Sequence, residues 1–335
     1  MTETGTGRLR EALAAAGVDW TQVTDWHALA GGTFNAVTRV SLAAGTRLVV
    51  KIPPGPETSL LSYERGILGT EALFYRLAGR LPGVTVPSVL AVNAGGGAGG
   101  GAGDYLVMTE CPGVPWPDLV PLPAGRERDE LRAELGRQVA RLHTVTGTGF
   151  GYPSAALGPL LDTWREAFVA MVDALLADAA RFAVTLPRPA AEIRALFGAR
   201  AGLLDEVTTP VLTHFDLWDG NILVESGPAG RRIGALIDAE RAFWGDPLAD
   251  FVSLALFHDI ERDAAFLRGY RDAGGKVAFD AAERERIALY RAYLHLIMWI
   301  EAVPRKSDPQ GLAWLRGFAF EPLTETLDRW ADSRT

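Results

Sequence analysis

The sequence predicts an α+β fold of two unequal lobes: a small N-terminal antiparallel β lobe with one key helix, then a larger, mainly helical C-terminal lobe. Three observations point there. Short strand signals punctuated by glycine fill the first third, helical periodicity dominates after Pro112, and strand–loop–strand passages interrupt the helices between residues 210 and 237. At 335 residues the chain is long enough for each lobe to bury its own core.

In the first lobe, set at 1–111, Trp26 to Ala30 leads into the turn Gly31-Gly32-Thr33-Phe34-Asn35, and Ala36 to Leu42 alternates apolar with polar side chains as a half-buried strand does. Leu48 to Ile52 reads as a buried strand closed by Pro53-Pro54. Leu60 to Ala78 carries apolar residues at helical spacing, with Gly79 placed as the glycine that ends the helix. Thr85 to Val92 and Tyr105 to Thr109 are further strands, joined by the glycine-rich stretch Gly95 to Gly103. A linker near Glu110 to Pro117 opens the second lobe, 112–335. There Glu127–Val145, Leu161–Ala183 and Ala190–Glu206 read as amphipathic helices. Pro210 to His214 and Asn221 to Val224 read as a strand pair around a polar loop, Ile233 to Ile237 adds a strand, and the remainder is mostly helical, including an apolar stripe from Ile287 to Val303.

A hydrophobic fraction of 48% and a mean hydropathy of +0.09 suit a folded enzyme, and no apolar run reaches the roughly 18 to 20 residues that span a bilayer. Residues Met1 to Ala14 lack the apolar core of a signal peptide, and the one cysteine, Cys111, excludes an intrachain disulfide, so a reducing cytoplasmic setting is expected. Net charge of −8 argues against a nucleic-acid partner. Met1 to Pro112 hold 8 basic and 9 acidic residues, the remainder 25 and 32, so the acidic second part would attract a cationic ligand. Three cations are lysines (Lys51, Lys276, Lys306) and the other 30 arginines; a lysine closing an apolar strand therefore stands out.

The segment that carries most chemistry is Val211-Leu212-Thr213-His214-Phe215-Asp216-Leu217-Trp218-Asp219-Gly220-Asn221-Ile222-Leu223. A strand delivers a carboxylate into a loop, and five residues later an asparagine opens the next strand. Phosphoryl transfer to an alcohol needs a carboxylate at the hydroxyl and oxygen ligands for Mg²⁺, roles that suit Asp216 and the Asn221 amide oxygen. A further strand ends at Asp238, suited to bridge Mg²⁺ to ATP phosphates. A calcium loop fails, because Gly220 at its sixth position puts Phe215 first and Ser226 last. His214 is expected to brace the loop rather than bind metal.

With these motifs the chain resembles the aminoglycoside phosphotransferase family, which includes fructosamine, choline and macrolide kinases and has a bilobal protein-kinase-like fold. The resemblance runs from about Leu29 to Ser253 and is carried by HFDLWDGNILV and LIDAERAFWGDPLADF. It departs at Phe215, where the family usually has glycine. The resemblance implies Asp216 as catalytic base or hydroxyl-orienting group, Asn221 and Asp238 as Mg²⁺ ligands, and ATP as phosphoryl donor. Lys51 fits the lysine on the α- and β-phosphates, with Glu71 preferred over Glu64 as its ion-pair partner. The loop Gly31-Gly32-Thr33-Phe34-Asn35 would cover the phosphates with backbone N–H groups, and the Thr109 carbonyl and Cys111 N–H would bind adenine. Glu240 could touch the metal or a substrate amine. Asp246 and Asp250 are expected to cap and brace the helix beginning near Pro247, and His258, Asp259, Glu261 and Glu301 fall in the family's substrate region. His27, His143 and His295 read as surface or packing residues.

The acceptor expected is a small-molecule hydroxyl, most of all that of a cationic aminoglycoside-like antibiotic. A fructosamine-, choline- or homoserine-like metabolite is the alternative. A catalytically dead binding module is disfavoured because Lys51, Asp216, Asn221 and Asp238 are all present, and protein-kinase activity because Ala-Glu, not Phe-Gly, follows Asp238 and no A-P-E element appears. Monomer and homodimer are both open.

Overall fold

The structure is a computed structural model that describes residues 3–29, 35–55, 58–95 and 103–333. Helix α1 (Glu3–Ala15) precedes a five-stranded antiparallel sheet of β1 (Val23–Ala28), β2 (Ala36–Leu42), β3 (Arg47–Ile52), β4 (Val89–Asn93) and β5 (Tyr105–Thr109), in spatial order β1-β2-β3-β5-β4. Helix α2 (Ile67–Ala78) connects β3 to β4.

The period of two in these strands assigns side chains to opposite faces. Leu48, Val50 and Val107 pack with Leu9, Ala12 and Leu13 of α1, while Leu106 and Met108 join Leu68, Ala72 and Phe74 of α2 in the main core. Helix α1 was not legible as a helix: its run of polar and small residues shows little periodicity, and only the sheet makes its apolar side useful. Two expected boundaries also shift. The helix starts at Ile67, not Leu60, behind a 3₁₀ turn at Ser62–Glu64, and Gly79 ends it with φ −66°, an ordinary right-handed conformation. The strand expected from Thr85 begins at Val89, because Pro87 cannot donate to a ladder.

After the two-residue strand β6 (Val114–Pro115) come α3 (Gly125–Leu142), α4 (Trp164–Arg181) and α5 (Ala190–Gly198). Four short strands follow: β7 (Val211–Thr213), β8 (Ile222–Gly227), β9 (Gly230–Leu236) and β10 (Phe243–Gly245). The pair expected between the segments flanking the polar loop does not form. Instead β7 pairs with β10, while β8 lies between β6 and β9. The loop from His214 to Gly220 therefore bridges two small sheets. The chain ends with α6 (Asp250–Leu254), α7 (Ala264–Asp272), α8 (Ala281–Glu301), α9 (Pro309–Leu315) and α10 (Glu321–Asp332). Helices α3 and α7 cross backbone to backbone at Gly136 and Gly269, where any Cβ would collide with the carbonyl of Phe266 or Ala133.

Phe215, in that bridging loop, has φ +58° and a fully buried ring, 4.9 Å from Phe243 and 5.8 Å from Tyr293 between centroids. The ring's burial outweighs the left-handed strain. Phe215→Gly is expected to lose about 3–5 kcal/mol of packing and regain about 1–2 kcal/mol of strain, a net loss near 2–3 kcal/mol in urea unfolding.

Candidate active site

Lys51 lies between Val50 and Ile52, which face α1, so strand alternation turns its side chain to the α2 face. There Nζ sits 2.7 Å from Glu71 Oε1 and 2.5 Å from Asp238 Oδ1, with Glu71 wholly buried. Glu64, the alternative partner, is taken by Arg305 (2.7 Å). Tyr75, one turn after Glu71, donates its hydroxyl to Glu71 Oε1 (2.7 Å) and accepts the Asp238 N–H (2.8 Å). Burial alone would push the lysine toward neutrality, but the Asp238 and Glu71 carboxylates hold its pKa well above the ordinary value. Burial likewise opposes ionisation of Asp238, yet Lys51 keeps that carboxyl below its usual range.

The loop after β7 is fixed through its backbone. Asp250, at the start of α6, accepts the N–H groups of His214 (2.9 Å) and Phe215 (2.7 Å), and Ser253 Oγ accepts that of Leu217 (2.9 Å). Asp250 in turn meets His143 Nε2 (3.0 Å), whose Nδ1 lies 2.9 Å from the Tyr270 hydroxyl. His143 is thus a buried brace for the loop, beyond the packing part expected of it. Asp246 caps the 3₁₀ turn before α6 and accepts Leu248 N–H at 2.9 Å; the α-helix itself starts three residues later than Pro247. His214 is fully buried; its Nε2 lies 2.9 Å from the Ile237 carbonyl and its Nδ1 3.3 Å from the Asp216 N–H, so it ties the loop to the strand end before Asp238. Burial pushes its imidazole toward neutrality.

Asp216 emerges beside Arg241, with Oδ1 3.4 Å from Nη1. Arg241 also grips Glu301 with Nη2 (3.0 and 3.1 Å), and Arg305 reaches both Glu301 (3.0 Å) and Glu64. Burial pushes the Asp216 carboxyl up to about 7 despite Arg241. Asn221 donates its amide N–H to the Asp216 carbonyl (2.7 Å), which fixes the orientation of the amide. Its own carbonyl accepts the Ile237 N–H (3.0 Å), so Asn221 and Asp238 stand together at one end of the β8–β9 pair. Asp238 has φ +64°, a left-handed turn that swings the chain out of β9.

Carboxylate oxygens of Glu71, Asp238 and Glu240 lie within 4.8 Å of one another. Asn35 donates to Glu240 (3.0 Å), and its buried Oδ1 finds no hydrogen-bond partner among the described residues. Glu64, Glu71, Asp216, Asp238, Glu240 and Glu301 thus gather around Lys51, Arg241 and Arg305, an excess of negative charge. Burial, with Asp238 adding repulsion, pushes Glu240 up to about 8. Excess carboxylate and an orphaned amide oxygen fit a divalent cation with oxygen ligands.

Other expected residues spread more widely. Thr109 ends β5, and since Lys51 pairs with Leu106 it lies about 10 Å from Lys51 along the sheet. Between it and Cys111, Glu110 is turned back by ion pairs to Arg39 and Arg47. The Cys111 thiol is pushed up to about 11 by burial, which leaves it unreactive. Asp259 is exposed, caps a local turn and pairs with Arg262 (3.1 Å); Glu261 pairs with Arg284, and His258 with Asp219. Gly31, Gly32 and Thr33 lie outside the described residues. Tyr75 and Arg241 were not singled out as site residues, and Asn35 was expected only as the end of the phosphate-covering loop. Tyr75 hides in an apolar helical stripe, whereas Arg241, three residues after Asp238, carried a readable signal as a charge inside a buried segment.

A family model described as the phosphotransferase enzyme family, APH, matches residues 25–290. The chain belongs to the APH phosphotransferase family. No match is found among curated proteins. Among solved structures, a putative fructosamine-3-kinase from Thermobifida fusca YX-ER1 is 23% identical with a TM-score of 0.64, covering 99% of this chain and 100% of its own. The streptomycin–ATP ternary complex of APH(2″)-IIa is 16% identical (TM-score 0.62; 98% of each chain), and a macrolide 2′-phosphotransferase from Brachybacterium faecium is 20% identical (TM-score 0.57; 93% and 97%). These likenesses establish the APH kinase-like fold.

The raised Asp216 and Glu240 carboxyls imply a measurable linkage. Below their folded-state values of about 7 and 8 both hold protons, and a bound divalent cation favours the ionised forms. Titrating Mg²⁺ with ATP into the protein at pH 7 is expected to release about one proton, read by calorimetry in buffers of different ionisation enthalpy.

Proposed function

We propose that the chain is an ATP-dependent O-phosphotransferase that moves the γ-phosphoryl group to a hydroxyl of a small molecule. The observation that carries this reading is the Lys51 ammonium held between Glu71 and Asp238, with Asp216 and Asn221 on the adjoining loop. Lys51 would hold the α- and β-phosphates as a compact charge, and the Thr109 carbonyl and Cys111 N–H would receive adenine. Asn221 and Asp238 would ligate Mg²⁺, with Glu240 beside them. When bound, Mg²⁺ neutralises charge on the phosphates as the γ-phosphoryl group departs.

Asp216 would orient the acceptor hydroxyl and take its proton. A carboxyl near 7 is matched to that task at neutral pH, and the backbone bonds of its loop hold it in place beside Arg241. An ATP-bound relative of the same fold supports the choice of donor. A cationic, aminoglycoside-like acceptor is the less favoured reading on this geometry. Of the acids expected to greet it, Glu301 is already paired with Arg241 and Arg305, and Asp259 with Arg262.

Asp216→Asn is expected to lower kcat about a thousandfold while ATP affinity changes less than about twofold. Unchanged turnover would sink the mechanism. Acceptors are found by following ADP release across aminoglycosides, macrolides, fructosamines, choline and homoserine.

A further inference from the structure

Helix α8 ends at Glu301, inside the Arg241 network. Six residues earlier, about 9 Å along the helix, His295 lines a cavity of about 280 Å³, with Arg291 one turn beyond it. Val252, Leu256, Phe318 and Pro322 form apolar walls. His295 is only 8% exposed, and its Nδ1 has no hydrogen-bond partner among the described residues. Burial, then Arg291, pushes the imidazole down to about 4, so it is neutral at physiological pH and can present an N–H. Arg291 makes no ion pair among the described residues. Asp259 and Glu261 act on it from a distance but are engaged by Arg262 and Arg284, and Arg329 adds a second positive charge.

From Phe318, a wall of the cavity, a chain of rings runs to the Asp216 loop. Phe318 is 5.4 Å from Phe257, which is 5.9 Å from Trp218, two residues past Asp216; Trp314 stacks on Phe318 at 4.5 Å. Phe257 is 53% exposed and Trp314 51%. Contiguous exposed rings beside a reactive loop form the kind of patch that a ligand covers.

We infer that this cavity binds the remote end of the acceptor, an apolar body terminating in a carboxylate: the body lies on Trp218, Phe257 and Phe318, and the carboxylate meets Arg291 with His295 as hydrogen-bond donor. The inference rests on the phosphotransferase reading for the word acceptor, and on the cavity alone for the ligand's chemistry. An apolar cavity of about 150 Å³ holds benzene, so this one has room for a ring and a short acidic chain.

The test uses 4-phenylbutyrate and 4-phenylbutylamine as matched probes, titrated calorimetrically into the full chain at pH 7. The carboxylate is expected to bind at least about tenfold more tightly than the amine. Arg291→Ala should erase that preference, Arg291→Glu should invert it, and Leu256→Trp should block both probes by filling the cavity. Equal binding of the two probes, or a preference untouched by Arg291→Glu, overturns the inference. In the ADP-release assay, hydroxylated aryl carboxylates should outperform the matching amines, and Arg291→Ala should raise their KM about tenfold; amines outperforming carboxylates would overturn the acceptor assignment. ATP affinity is measured separately. A chain that binds the carboxylate probe but no ATP refutes the phosphotransferase reading while leaving the cavity's ligand chemistry standing.

Discussion

A lysine ammonium removed from water is the constraint around which the rest of this structure is arranged. Stripping hydration from Lys51 is costly unless opposite charge is supplied at close range, and Glu71 and Asp238 supply it from two parts of the chain. One carboxylate requires α2 to lie against the sheet. The other requires β9 to end in a left-handed turn. Tyr75 joins the two by bonding Glu71 and the Asp238 backbone at once.

The second region, around Asp216, is organised by another principle: its carboxylate is placed by backbone bonds. Asp250 and Ser253 hold the N–H groups of His214, Phe215 and Leu217, and the Phe215 ring anchors the loop from beneath. The Asp216 carboxylate therefore needs no tight partner to be well placed, and its contact with Arg241 is long at 3.4 Å. Nearby, carboxylates outnumber the cations Lys51, Arg241 and Arg305 that they surround.

Much of this was legible before any coordinates. Strand alternation exposed β2, β3 and β5, and the spacing from His214 to Asn221 and on to Asp238 pointed to residues that the fold brings together, because an asparagine five residues after a carboxylate suits one loop. Other features could not be read, for definite reasons. Helix α1 has little periodicity of its own. The pairing of β7 with β10 and of β6 with β8 depends on contacts between distant segments, which strands of two or three residues cannot encode locally. Tyr75 looks like core until its hydroxyl is seen to have two partners. A count of charges also cannot show pairing: Glu301 and Asp259 add to the net charge yet are ion-paired with arginines.

The double attachment of α2 has a mechanical corollary. Glu71 and Tyr75 lie one turn apart on the same face of that helix, and both grip the segment containing Asp238, directly or through Lys51. An outward slide of α2 by a few ångströms would break these links together, exposing the ammonium and releasing the turn at Asp238. The helix therefore ties the ammonium's two carboxylate partners and the Asp238 turn into one mechanical unit.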